Sequence, residues 1–166
     1  MNAMLRGVVA GAVGTLALNI VTYGDMVWRG RGSSNTPAQL AGKLTDTLGI
    51  KLTDAAGDKG KAQAENRKSG LGSLLGYGTG LGVGIAYGLF QSDMQHQSTL
   101  VRGLTVGLAA MAASDVPTVA SGLSDPQTWG VSGWVEDLIP HIVYGLVTVI
   151  VADALLPESP HATVAR

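Results

Sequence analysis

Four long apolar stretches, separated by one long polar segment and two short turns, make up most of the chain. Each stretch has about 20 residues, the length that a helix needs to cross a hydrocarbon core about 30 Å thick. The pattern predicts an all-α, polytopic membrane protein: one domain, 1–156, with four transmembrane helices and a short amphipathic helix in the first loop. The expected segments are spans at about 4–24, 70–90, 99–122 and 131–156, a polar segment at 25–69, and a disordered tail at 157–166.

The polar segment is expected to contain the short helix. Thr36 is its expected N-cap and Pro37 its first helical residue. Leucines then recur every fourth position, at Leu40, Leu44 and Leu48. This spacing predicts an amphipathic helix that lies on the membrane surface or against the mouth of the bundle.

The second span carries a glycine row at every fourth position: Gly72, Gly76, Gly80, Gly84 and Gly88. Where no side chain projects, the backbone of another helix can approach closely, as in small-xxx-small packing. A spacing of four residues drifts about 40° around a helix at each step, so the row winds and can receive more than one partner. We therefore expect the row to be a packing surface and this span to be the central, protein-buried helix of the bundle.

Charge is scarce and concentrated. Charged residues make up 14% of the chain, against about 25% in soluble domains. Eight of the eleven Lys and Arg lie between Arg29 and Lys68, which argues for a membrane protein and against a nucleic-acid partner. The sequence has no cysteine, which excludes disulfides, thiolate metal sites and cysteine nucleophiles.

The basic residues also predict the orientation in the membrane. The positive-inside rule places the polar segment, which carries eight Lys and Arg, in the cytoplasm and both termini outside.

Ionisable residues of the third and fourth spans are expected to meet on the cytoplasmic side. In an antiparallel bundle, Asp115 approaches Glu136, Asp137 and His141, and Tyr144 follows on the same helix face as His141. Ionisable groups at membrane depth usually face the bundle interior or a wet cavity. These five residues are a candidate proton or cation cluster; the alternative is that they only hydrogen-bond the bundle together.

A metal is a further possibility for this cluster. A carboxylate-rich Mg²⁺ or Ca²⁺ site is compatible with these residues, although nothing in their spacing demands it. A His-rich transition-metal site is not available, because His141 is the one histidine in a span. No cofactor is expected.

Residues 134–145, which read Trp-Val-Glu-Asp-Leu-Ile-Pro-His-Ile-Val-Tyr-Gly, resemble a stretch of the YagU-like bacterial inner-membrane proteins. Residues 7–15 are similar to the opening helix of that family. The resemblance implies a small multi-pass protein of the bacterial inner membrane with a link to acid tolerance, and it implies no established reaction. The matching residues, Glu136, His141 and Tyr144, have no known role. The glycine row and the long polar segment depart from the family pattern.

Two functions remain open, and a third is not expected. The first is a non-enzymatic accessory or scaffold protein that forms homo-oligomers, or joins other membrane subunits, through the glycine row in the lipid bilayer. The alternative is a proton-responsive channel or transporter that uses Asp115, Asp137 and His141. An intramembrane enzyme is not expected, because no convincing nucleophile or ligand set is present.

Overall fold

The computed structural model describes residues 1–156, and within them the chain is helical, with no strand. Four helices are long and apolar enough to cross a membrane, with mean hydropathies between 1.2 and 1.7. This confirms the all-α fold with four spans. The expected tail at 157–166 lies outside the described residues. The helices are α1 (Ala3–Arg29), α2 (Thr36–Thr47), α3 (Gly57–Met94), α4 (Thr99–Ala120) and α5 (Gly130–Ala154), with a 3-10 turn at Pro126–Thr128.

Local capping fixes where several helices begin and end. The Asn2 side chain accepts a hydrogen bond from the Leu5 N–H at the start of α1, and Ser98 caps α4 in the same way. Glycine ends α1, because Gly30 adopts a left-handed φ of 62°. The expected cap of α2 is wrong by one residue: Asn35 is the N-cap, and Thr36 is already helical.

The long helices do not surround α3. Helix α1 packs against α3 on one side and α5 on the other, and α4 packs mainly against α5. Helix α2 packs on α3. The expectation that α3 is the central, buried helix is therefore wrong. In its most apolar stretch 22% of residues are buried, against 28–33% in the other spans.

Small residues allow the close helix contacts. The core residue Ala10 is fully buried between helices, as are Val149 and Ala152. In the contact of α4 with α5, a Cβ atom added at Gly107 would lie 2.5 Å from the His141 carbonyl oxygen. Backbones therefore meet where larger side chains would hold them apart, as in other membrane bundles.

Candidate functional site

Four glycines of the row contact other parts of the chain. A Cβ atom added at Gly84 would lie 2.5 Å from the Cα atom of Gly11, so α1 and α3 cross backbone to backbone there. Gly88 and Gly80 also face α1, and Gly72 faces the backbone of Pro37 at the start of α2. Most of the row therefore packs inside one copy of the chain.

Gly76 departs from the expected packing row. Within residues 1–156, no atom outside its own turn lies within 4 Å of the position that a Cβ atom of Gly76 would take. The same holds for Gly78 and Gly82. Gly76 lies between the part of α3 that contacts α2 and the part that contacts α1, so neither helix covers it. Gly78 and Gly82 lie about 40° apart around the helix, nearly opposite Gly80 and Gly84, whereas Gly76 lies about 160° from Gly78. We call Gly78 and Gly82 the open glycine face.

Tyr144 lies in the core and not in the ionisable cluster. Its side chain is 1% exposed, and its hydroxyl donates a 2.6 Å hydrogen bond to the carbonyl oxygen of Gly80. It also packs beside Gly14 of α1. Tyr144 therefore holds α5 against α1 and α3, and the structure separates it from the residues with which it was predicted to act.

Glu136 also leaves the predicted cluster. Its carboxylate lies 2.8 Å from an Arg29 guanidinium nitrogen and 3.6 Å from Arg31. Both arginines also pair with Asp25, at 2.6 and 2.5 Å. Asp25 follows the apolar stretch of α1, and hydrogen bonds from Arg29 and Arg31 lower the pKa of its carboxyl to about 2. These four residues join the end of α1 to the start of α5 at the membrane boundary.

The remaining three predicted residues do come together, and Ser114 joins them. Asp137 and His141 lie one helical turn apart on α5, with 3.2 Å between carboxylate oxygen Oδ1 and ring nitrogen Nδ1. Asp115 approaches both from α4 and interacts with the Asp137 carboxyl and the His141 imidazole. The His141 side chain is 13% exposed. We call Asp115, Asp137 and His141 the acidic–histidine cluster.

Both ring nitrogens of His141 face oxygen atoms. Nδ1 lies 2.8 Å from the Asp137 carbonyl oxygen, so this nitrogen carries a proton in that contact. Nε2 lies 3.4 Å from the Ser114 hydroxyl, whose own hydrogen is directed to the Met111 carbonyl at 2.8 Å. The surroundings thus offer an acceptor to each nitrogen of a doubly protonated ring.

The carboxylates of the cluster are incompletely paired. The Oδ2 atom of Asp137 is buried and has no hydrogen-bond partner among the described residues. A buried acceptor without a donor costs free energy, which a proton or a cation beside it can recover. Within the described chain, no group of three or more His, Asp or Glu side chains has the arrangement of a metal site.

A second polar network, absent from the sequence prediction, lies at the opposite end of the bundle. Arg102 of α4 binds Asp153 of α5 through two hydrogen bonds of 2.8 and 2.9 Å. The Tyr87 hydroxyl accepts a 3.0 Å hydrogen bond from Arg102, and Gln91 donates a 2.9 Å bond to Asp153. Arg6 of α1 donates to Gln91 at 3.2 Å. One network therefore connects all four spans.

A sequence signal for this network was present. Arg102 lies just inside the start of the third span, and Asp153 lies near the end of the fourth. Antiparallel neighbours bring those two ends together, so an isolated arginine and an isolated aspartate at these depths indicate an ion pair.

Comparisons with protein-family models, with curated proteins and with solved structures find no match for this chain.

Proposed function

We propose that this chain is a non-enzymatic, multi-pass protein of the bacterial inner membrane, and that its acidic–histidine cluster responds to protons. The observation that carries the proposal is the meeting of Asp115, Asp137 and His141 from two neighbouring spans. Histidine is the side chain whose ordinary pKa lies between pH 5 and 8, so its charge changes in this range. The resemblance of residues 134–145 to the YagU-like family supports the inner-membrane location and the link to acid.

Two prolines near the cluster weaken the helices α4 and α5 locally, so that these helices can bend there. Pro117 lies in α4 and Pro140 lies in α5. Proline has no backbone N–H, so each removes one backbone hydrogen bond from its helix close to the cluster. When His141 gains a proton, Nε2 becomes a donor towards Ser114 of α4. Proton uptake then strengthens the contact between two helices that are weakened at this depth.

The test of this proposal compares His141→Gln and Asp137→Asn with wild type by melting temperature in mild detergent between pH 5 and 8. We expect both variants to lose more stability at pH 5 than at pH 8, because the acceptors around the ring bind its protonated form best. His96→Gln is the matched control, since His96 is exposed in the turn between α3 and α4. A difference from wild type that stays flat across this range would leave His141 as a packing residue.

A second candidate function is assembly in the bilayer, with a further copy or another membrane subunit on α3. The observation that favours it is the open glycine face, whose two glycines, Gly78 and Gly82, are uncovered by residues 1–156. Glycine at such a face lets the backbone of another helix approach closely. A homo-oligomer built in this way agrees with the accessory or scaffold role expected from the sequence.

A further inference from the structure

A groove of about 420 Å³ opens at the surface of α4, beside the acidic–histidine cluster. This volume falls in the range of about 300–1,000 Å³ that small-molecule sites occupy. Asp115 is the one charged residue that lines it, and the rest of its wall is apolar or aromatic. Its wall includes Met111, Asp115, Val116, Trp129 and Trp134.

We propose that this groove binds an amphipathic organic cation, namely an ammonium or phosphonium centre on an apolar body, with Asp115 as its counter-ion. The inference rests on the proposed function in one respect, because Asp115 belongs to the cluster that is proposed to bind protons.

The charge around the groove is complementary to a cation. Asp115 contributes a carboxylate from α4, and Asp137 adds a second one from α5, with a buried oxygen that lacks a partner among residues 1–156. The counter-charge beside these carboxylates is His141, which is positive only when its ring is protonated.

The nearby basic residues have other partners. Arg29 and Arg31 at the end of α1 pair with Asp25 and Glu136. Lys43 of α2 donates a 2.5 Å hydrogen bond to the Ser121 carbonyl. The carbonyl does not neutralise Lys43, but within residues 1–156 this lysine forms no ion pair with Asp115 or Asp137. When His141 is neutral, these two carboxylates therefore have no ion-pair partner among the described residues.

The two tryptophans suit an organic cation better than a metal ion. The ring centroids of Trp129 and Trp134 lie 4.9 Å apart, with 51° between the ring planes, so they form a corner. The Trp129 Nε1–H donates a 2.9 Å hydrogen bond to Ser124, which fixes that ring. A cation within about 6 Å of a tryptophan face is attracted by the ring, and tryptophan is the strongest such partner.

The apolar part of the ligand has a surface to bind and a route to reach it. Met111 is buried at the groove, whereas Val116 is 62% exposed and Trp134 is 44% exposed. In a membrane these exposed side chains face lipid. A cation with an apolar body can therefore partition into the bilayer and enter from the side, while its charged centre meets Asp115.

Proton and cation compete for the same carboxylate in this arrangement. A protonated Asp115 has no charge to offer, and a protonated His141 cancels one of the two negative charges that the cluster carries at high pH. Affinity for the cation is therefore expected to be higher at pH 8 than at pH 5.

The experiment is equilibrium dialysis of the purified, full-length protein in a non-ionic detergent, with tetraphenylphosphonium as the probe. Tetraphenylborate is its matched control, because it has nearly the same shape and the opposite charge. We expect the phosphonium to bind at pH 8 at least about tenfold more tightly than the borate, since carboxylate and ring faces both favour positive charge.

Variants locate the binding. Asp115→Asn is expected to weaken phosphonium binding about tenfold, whereas Asp115→Glu, which keeps the charge, stays within about threefold of wild type. Trp134→Leu is expected to weaken it about fivefold through lost ring attraction. Asp93→Asn removes an exposed carboxylate at the far end of α3 and is expected to change nothing.

Equal binding of the two probes by wild type would overturn the proposal, and that comparison does not depend on any variant folding. Unchanged binding by folded Asp115→Asn would overturn it as well. A pH-dependent melting temperature without phosphonium selectivity would refute the groove alone. Phosphonium selectivity without that pH dependence would support the groove and refute the proton response.

Discussion

Single residues in α5 show how helix geometry divides neighbouring polar groups among different partners. Asp137 and His141 are four apart and share a face, so their contact followed from the sequence. Glu136 precedes Asp137 by one residue, which rotates it by about 100°, and it turns to the arginines of α1. Tyr144 turns to Gly80 because the missing side chain there exposes a carbonyl oxygen. The sequence identified the polar residues of this helix, but not the neighbouring helix that each one contacts.

The ion pair of Arg102 and Asp153 supplies a prediction at this scale. The Arg102 side chain is 8% exposed and that of Asp153 is 29% exposed. Asp153→Leu should lower the free energy of unfolding by about 3 kcal/mol, because it leaves a largely buried guanidinium unpaired. Denaturant unfolding in mixed micelles measures the loss.

The double variant Arg102→Met with Asp153→Leu controls for the cost of the buried charge. It should recover most of the stability that Asp153→Leu loses, because two apolar residues leave no charge unpaired. If the double variant is as unstable as the single one, the pair does not act through its charge.

A pH prediction concerns Asp25, whose carboxyl pKa is lowered to about 2 by Arg29 and Arg31. A carboxyl with a lowered folded-state pKa contributes stability above its unfolded pKa of about 4, and this contribution is lost as pH falls towards 2. The melting-temperature difference between wild type and Asp25→Asn should therefore be constant from pH 5 to 8 and shrink below pH 4. A difference that varies between pH 5 and 8 would contradict this assignment.

At the scale of elements, α3 shows what a glycine row can predict. The spacing identified a packing surface, and Gly80, Gly84 and Gly88 do contact α1. The spacing could not identify which glycines meet a neighbour, because this depends on where α1 and α2 lie along α3. It also overstated the burial of the helix, since glycines on the other face have no neighbour within residues 1–156.

Two glycines of α3 provide a matched pair for a prediction about this element. Gly84→Leu should destabilise the fold by about 3 kcal/mol, the upper end of the usual range for overpacking. The reason is that the new side chain would meet the backbone of α1, which cannot move aside. Gly82→Leu, two residues earlier, should leave the melting temperature within about 2 °C of wild type, since its Cβ position is open.

The oligomer mass in mild detergent then tests assembly through the open glycine face. If that face holds a second copy, Gly82→Leu should give folded monomers, because the leucine blocks the close approach of the partner helix. An unchanged mass would argue against this face as the contact between copies.

At the scale of the whole molecule, hydropathy was sufficient to predict the number of spans, because every span must satisfy its backbone hydrogen bonds internally. It could not predict where along α3 the short helix α2 would pack. Nor could it assign α1 and α5 to the centre. Those features depend on long-range contacts between small residues, which no single stretch of sequence records.

The orientation of the molecule in the membrane can be tested from the two ends of α3. Lys59 and Asp93 lie near opposite ends of α3, about 51 Å apart along a helix of this rise. The chain has no cysteine, so Lys59→Cys and Asp93→Cys can be labelled without a background. With the basic segment in the cytoplasm, an impermeant thiol reagent should label position 93 in intact cells and position 59 only after permeabilisation. The reverse pattern would invert the topology.

The ion pair between α4 and α5 also constrains how the chain enters the bilayer during synthesis. A lone arginine near the end of a span raises the cost of releasing that span into lipid, by up to about 2.5–3.5 kcal/mol at the centre of the bilayer and less near its edge. Arg102 emerges from the ribosome 51 residues before Asp153. The segment that forms α4 is therefore complete before the ribosome has synthesised the aspartate that pairs with Arg102. The third span should therefore wait at the translocon and leave it together with the fourth, as a helical hairpin. Truncated chains that end before Asp153 should insert their third span less efficiently than the full chain.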